Sequence, residues 1–104
     1  MRKLKHPTID QIDLTDIMYA LADPTRLEVV AQLANAGRQM TCGEFILNRS
    51  KSTMSHHFKI LRSSGLVETV IEGTEHMNSL RLEEIENKFP GVLKSVIKAA
   101  KATG

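Results

Sequence analysis

Tryptophan is absent from this chain, and three phenylalanines and one tyrosine supply all its aromatic side chains, 4% of 104 residues. So few rings give little support for the aromatic platforms that hold sugars or unstacked bases. Cys42 is the single cysteine, which excludes an intrachain disulfide framework and fits a reducing compartment. No stretch approaches the roughly 20 apolar residues that cross a bilayer. The basic start "MRKLKHPTIDQIDL" is not followed by the apolar core of a secretory signal. The expectation is a soluble, cytoplasmic protein with no membrane partner. No nucleophile–base pair, glycine-rich phosphate loop or metal-ligand cluster is readable, so an enzyme is not expected and no cofactor is called for. A large charge excess is missing too. The net charge of +2 permits a local basic patch for nucleic acid without requiring one.

What remains is an ordinary globular composition, 41% hydrophobic and 25% charged, in a chain long enough for one modest core. Residues 1–12 look like a flexible polar arm, and 13–104 form the folded domain. Leu14, Ile17, Met18 and Leu21 recur at helical spacing behind a capping Asp13. In "ADPTRLEVVAQLANAG", Asp23 caps a second helix, Pro24 suits its first position and Gly37 ends it. Its inner stripe is Leu27, Val30 and Ala34, widened by Val29 and Leu33. "TCGEFILN" predicts a short third helix, with Thr41 as cap and Glu44 in capping-box position. A fourth runs from about Ser52 to Ser64, where Gly65 stops it. "LVETVIE" and "HMNSLRL", separated by "GTE", predict a β-hairpin. The segment "LEEIENKFPGVLKSVIKAAK" is helical again, with Pro90 opening its main part and an apolar stripe of Phe89, Leu93, Val96, Ile97 and Ala100. The fold class is mainly α with a small β-hairpin. The order helix, helix, helix, helix, hairpin, helix is that of a winged helix-turn-helix.

The fourth helix carries the chemistry. Met54, Phe58 and Leu61 share one face and anchor it to the core. Ser52, Ser55, His56, Lys59 and Arg62 share another. Small hydroxylated residues near the helix start, Thr53 among them, permit close approach to base edges in a major groove. Cations farther along meet phosphates, and Arg49 and Lys51 add to the same anionic contact beside free backbone N–H groups. The alternative for this face is plain solvated surface. His56 and His57 are adjacent and point about 100° apart on a helix, whereas chelating pairs sit at i, i+4. His56 is therefore expected to face DNA, and His57 to lie at the helix flank, hydrogen-bonded to a neighbour.

"LADPTRLEVVAQL" and "STMSHHFKILRSSGLV" resemble the second-helix and recognition-helix signatures of the ArsR/SmtB family of bacterial winged-helix repressors, with Phe58 in the usual leucine slot of the latter. With the hairpin, the resemblance spans about residues 14 to 82. It implies a homodimer on double-stranded operator DNA, altered by an effector whose identity the sequence does not disclose. It also implies an interface between first and last helices, here Leu14, Ile17, Met18 and Leu21 against Phe89, Leu93, Val96 and Ile97. An intrachain role for the last helix is the competing reading.

The chain departs from the family pattern in three places. Thr41 and Gly43 occupy the slots where metal-sensing members carry a Cys-x-Cys pair. The last helix has no histidine, so no metal site is expected. The wing has Thr74 and Glu75 where many members have arginine. Cys42 is expected as a small hydrophobe packed under the recognition helix, with a thiol-based, redox-responsive repressor as the alternative. The acidic wing also keeps open a winged-helix protein-interaction module that does not bind DNA.

Overall fold

The dipeptide Asp23–Pro24 organises the helical part of the molecule. The Asp23 carboxylate accepts from the backbone N–H of Thr25 and Arg26 at 2.9 and 3.1 Å, while Pro24, which has no N–H to lose, takes the first helical position. The computed structural model describes residues 2–45, 47 and 49–103. Its elements run β1 (Arg2–Lys3), α1 (Leu14–Leu21), α2 (Pro24–Ala36), β2 (Met40–Thr41), α3 (Lys51–Ser64), β3 (Val67–Glu72), β4 (Glu75–Leu80), α4 (Leu82–Lys88) and α5 (Val92–Thr103). Single 3-10 turns lie at Ile9–Gln11 and Cys42–Glu44. None of the described helices is long and apolar enough to cross a membrane.

The core lies where α1, α2, α3 and α5 meet one face of the sheet. Ile17, Val29, Val30, Leu61, Leu66, Val67 and Leu93 are fully enclosed, and each such side chain contributes roughly 1.5–3 kcal/mol of burial. The sheet is antiparallel throughout, in the order β1-β3-β4-β2. Strands β3 and β4 form the expected hairpin, with Glu72 paired to Glu75 across a Gly73–Thr74 turn. Gly73 has φ 62°, as a two-residue hairpin turn demands at its first position. Inside the sheet the Thr69 hydroxyl donates to Asn78 Oδ1 at 2.7 Å, and Asn78 Nδ2 donates to the Met40 carbonyl at 3.2 Å. This buried polar pair ties three strands together, and a slip in register would leave its groups unsatisfied.

Four expectations are corrected by the fold. The arm expected over residues 1–12 is, from Arg2 on, built into the domain. Arg2 and Lys3 pair with Ile71 and Val70, Thr69 N–H donates to His6 Nε2 at 2.8 Å, and Ile12 is 1% exposed. Burial holds the His6 imidazole below its ordinary pKa, in keeping with a neutral ring that accepts. Arg81 donates to the Pro7 carbonyl at 2.9 Å while its fork holds Glu84. Lys88 Nζ donates to the Ile9 and Ile12 carbonyls.

The third helix is the second correction. Met40–Thr41 pairs with β4 instead, and only the 3-10 turn Cys42–Glu44 follows, residues 46 and 48 lying outside those described. Gly43 weakens the helix, and the sheet takes the backbone that would have begun it. The capping box survives at the start of that turn, with the Thr41 side chain facing the Glu44 N–H and the Thr41 N–H donating to Glu44 Oε2 at 2.6 Å. Third, the last helical segment is two helices. The chain turns at Phe89–Gly91, Gly91 having φ 83°, and α5 starts at Val92. The Glu86 carboxylate, reaching from α4, accepts from the N–H groups of Gly91 and Lys94 at 2.9 and 3.0 Å; these donors hold its pKa below the usual carboxylate value.

The fourth concerns the proposed dimer stripe. Ile17, Leu21, Leu93 and Ile97 are buried within the chain's own core, where α5 packs against α2, so they cannot form a direct contact surface. Leu14 and Met18 stay 38% and 48% exposed, and Phe89 and Val96 are half-buried. A single amphipathic stripe this wide has an inner edge claimed by the monomer and an outer edge left open.

Candidate nucleic-acid interface

Helix α3 is held by both ends and by one face. Its N-cap Ser50 accepts from the Thr53 N–H at 3.3 Å and donates its own hydroxyl to Thr53 Oγ1 at 2.9 Å. Its C-terminus closes in a Schellman motif, with Gly65 N–H on the Arg62 carbonyl and Leu66 N–H on that of Leu61. Phe58 and Leu61 are buried, Met54 partly so, and the Phe58 ring packs at 5.4 Å centroid distance against Phe45.

The opposite face is open. Lys51, Ser52, Thr53, Ser55, His56 and Lys59 are exposed, Arg62 is half-buried, and Arg49 is exposed just before the helix. The sequence-predicted residues are thus brought onto one surface, with two refinements. Ser52 Oγ lies 3.3 Å from the Ser50 hydroxyl, so Ser52 and Thr53 are engaged in capping. Burial holds the Arg62 guanidinium below its usual pKa, and the neighbouring Cys42 sulfur opposes that shift.

The two histidines part ways. His56 points to solvent; His57 is 9% exposed, its ring tilted by 55° to that of His56 at 5.9 Å. His57 Nδ1 lies 3.3 Å from Arg26 Nη1. Arginine can only donate, so Nδ1 accepts and the network places the ring proton on Nε2. The same nitrogen is 3.8 Å from Asp23 Oδ2, too far for a hydrogen bond.

Arg26 is the residue that sequence reasoning missed. It is 7% exposed. Its Nε donates to the Ala20 carbonyl at 2.7 Å and its Nη2 to that of Tyr19 at 3.2 Å, satisfying the end of α1, while the Tyr19 ring lies 5.3 Å below the guanidinium. One cation therefore joins the end of α1, the start of α2 and the flank of α3. Asp23 completes the group; although burial opposes ionisation, the backbone N–H donors of Arg26 and Thr25 and the Arg26 cation hold its carboxyl below the usual range. The signal was present in the sequence, since Arg26 falls at i, i+4, i+7 with Val30 and Leu33 on the apolar stripe of α2, where a charge must be paired.

Cys42 is also corrected. It is exposed rather than packed under α3, because the 3-10 turn carries it to the edge of the sheet. Its sulfur lies 3.6 Å from Asn78 Nδ2. Among the described residues no group of three or more His, Cys, Asp and Glu side chains is arranged to hold a metal ion.

A family model described as a helix-turn-helix domain matches residues 21–70. The uncharacterized HTH-type transcriptional regulator YceK of Bacillus subtilis (strain 168) is 36% identical over 89 residues, covering 84% of this chain and 88% of that protein. The arsenical resistance operon repressor of Staphylococcus xylosus is 35% identical over 77 residues, 71% of each chain. The crystal structure of an ArsR family transcriptional regulator aligns with a TM-score of 0.62 over 95% of this chain and 91% of that one; at 23% identity this likeness shows the fold alone. A helix seated by its apolar face beside a hairpin wing, together with these relatives, shows that the chain belongs to the ArsR family of winged helix-turn-helix, DNA-binding transcriptional regulators.

Proposed function

We propose that this regulator is a cytoplasmic repressor that binds an inverted-repeat operator as a homodimer, without the family's metal-sensing ligands. The observation that carries the reading is the outer face of α3, where Ser55, His56, Lys59 and Arg62 form one polar and basic row behind which Phe58 and Leu61 are locked into the core. Ser55 and His56 are the groups that read base edges, and Lys59 and Arg62 meet phosphates, with Arg49 and Lys51 at the helix start. The similarity to an arsenical resistance operon repressor supports repression as the outcome. Leu14 and Met18, which are exposed, and Phe89 and Val96, which are half-buried, supply the apolar surface that a second copy would cover. Two-fold symmetry then sets half-sites about one helical turn, roughly 34–36 Å, or a multiple of it apart.

Fluorescence anisotropy on the promoter fragment upstream of the protein's own gene tests the two kinds of contact. Ser55→Ala or His56→Ala should lower affinity for the preferred site by about 1–3 kcal/mol per good base contact, and barely change binding to random duplex. Lys59→Ala or Arg62→Ala should weaken both duplexes alike and reduce the salt slope by about one unit per contact. Four variants that bind like the parent would reduce this face to ordinary solvated surface.

A thiol-responsive form of the same function is favoured by the exposure of Cys42. A maleimide should label Cys42 in the folded protein without denaturant, and the bulky adduct should release operator DNA, an effect abolished in Cys42→Ser. A thiol that reacts only after unfolding, or an adduct that leaves binding intact, removes this reading.

A further inference from the structure

The tip of the β3–β4 wing is acidic. Glu72 and Glu75 are exposed and directly paired across the turn, so this tip alone repels phosphates. Strand β1 changes that balance. It lies on the free edge of β3 and places Arg2 opposite Ile71, next to Glu72 and the turn. The segment is fixed in place, since the Leu4 N–H donates to the Thr69 carbonyl at 3.1 Å and the contacts of His6, Pro7 and Ile9 continue the attachment.

The face on which Arg2 stands follows from the strand period. Paired residues in an antiparallel ladder project to the same side, and successive residues alternate. Arg2 therefore shares a face with Ile71 and with His76, the cross-strand partner of Ile71. Thr69 and Asn78, two residues back along each strand, lie on that same face, and the Asn78 amide reaches Cys42 Sγ at 3.6 Å. That face is the one the helices cover, since Val67 and Met40 on it belong to the core and Thr69 and Asn78 are buried, and the exposed Arg2 stands where it emerges toward the turn. Lys3 stands on the other face, where it is held by Glu68 at 3.2 Å; Lys5 lies beyond the end of β1 and is exposed. Arg2 is exposed and, among the described residues, makes no ion pair.

We propose that β1 is a working third strand of the wing, and that Arg2 contacts the phosphate backbone of duplex DNA beside the site gripped by α3, supplying the positive charge that the hairpin tip lacks. This rests on the DNA-binding reading of α3. A guanidinium on a paired strand is positioned at low entropic cost, whereas on a loose arm it would have to be ordered on binding.

Salt titrations of binding to the promoter fragment and to a random duplex of equal length, with Arg2→Ala and Lys5→Ala, separate the possibilities. Both variants lose one positive charge from the same segment. Arg2→Ala should flatten the log–log salt slope by about two units for a dimer, close to 0.9 per phosphate contact on each chain, and should narrow the footprint at its outer edges. Lys5→Ala should keep the parent's slope and footprint. Equal slopes for parent and Arg2→Ala, or equal losses in both variants, would overturn the proposal while leaving the role of α3 intact. A parent protein that binds neither duplex would overturn the reading of α3 itself, and this proposal with it.

Discussion

Arg26→Met should cost about 3 kcal/mol of folding stability and lower the melting temperature by about 12–24 °C, at 4–8 °C per kcal/mol for a domain near this size. The substitution keeps the aliphatic length and removes the cation. It leaves the Ala20 and Tyr19 carbonyls and His57 Nδ1 without the donors that now satisfy them. Each buried acceptor stripped of its partner costs about 1–3 kcal/mol, and the sites lie close enough for the losses to be shared rather than summed. Urea unfolding followed by circular dichroism measures the loss; a midpoint unchanged from the parent would show that water replaces the guanidinium at no cost. Operator affinity should fall further than the unfolded fraction explains, because Arg26 also sets the angle at which α3 leaves the body of the domain. Arg26→Lys should recover little, since an ammonium cannot reach three acceptors held in a planar fork.

Gly65→Ala should destabilise by about 2–5 kcal/mol, and Gly37→Ala by only about 1–2 kcal/mol. Both glycines end a helix in the left-handed region, at φ 92° and 64°, where an L side chain costs about 1–2 kcal/mol. Their surroundings differ. A Cβ at Gly37 meets nothing within 4 Å, whereas at Gly65 it lies 2.5 Å from both Cδ1 and Cγ1 of Ile12. Ile12 is 1% exposed and has little room to yield, so displacing it adds the roughly 1–3 kcal/mol of an overpacked core. Chemical unfolding of the two variants side by side isolates that packing contribution. Equal losses at both positions would mean that Ile12 moves freely, and that the N-terminal segment is not tied to the end of α3.

Whatever depends on neighbours in the chain was legible from the sequence. Asp23, Pro24 and Gly37 bounded α2 because a cap, a residue lacking N–H and a left-handed stop act within a single turn. The two faces of α3 followed from the 3.6-residue period, and the hairpin from a glycine turn between two strand-like runs. Those elements, in that order, carried the family resemblance. Contacts distant in sequence left no comparable mark. Nothing in "MRKLK" announces pairing with a strand some 67 residues away, since two residues offer no period to read. The propensity and capping signals over "TCGEFILN" could not show that β4 would claim Met40–Thr41 and carry Cys42 into the open. Periodicity grouped Leu14 with Ile17 and Phe89 with Leu93, and only packing separated the members a single chain buries from those it leaves exposed. The sequence by itself determined which helix would present a polar, basic face and which side of that helix would be hidden, because local chemistry suffices for both. Tertiary structure decided how that helix is aimed, through Arg26 and His57, and where the N-terminal cations stand, through β1. The physical reason is that a pairing partner or a buried hydrogen-bond acceptor is specified by three-dimensional proximity, which no local window of sequence contains.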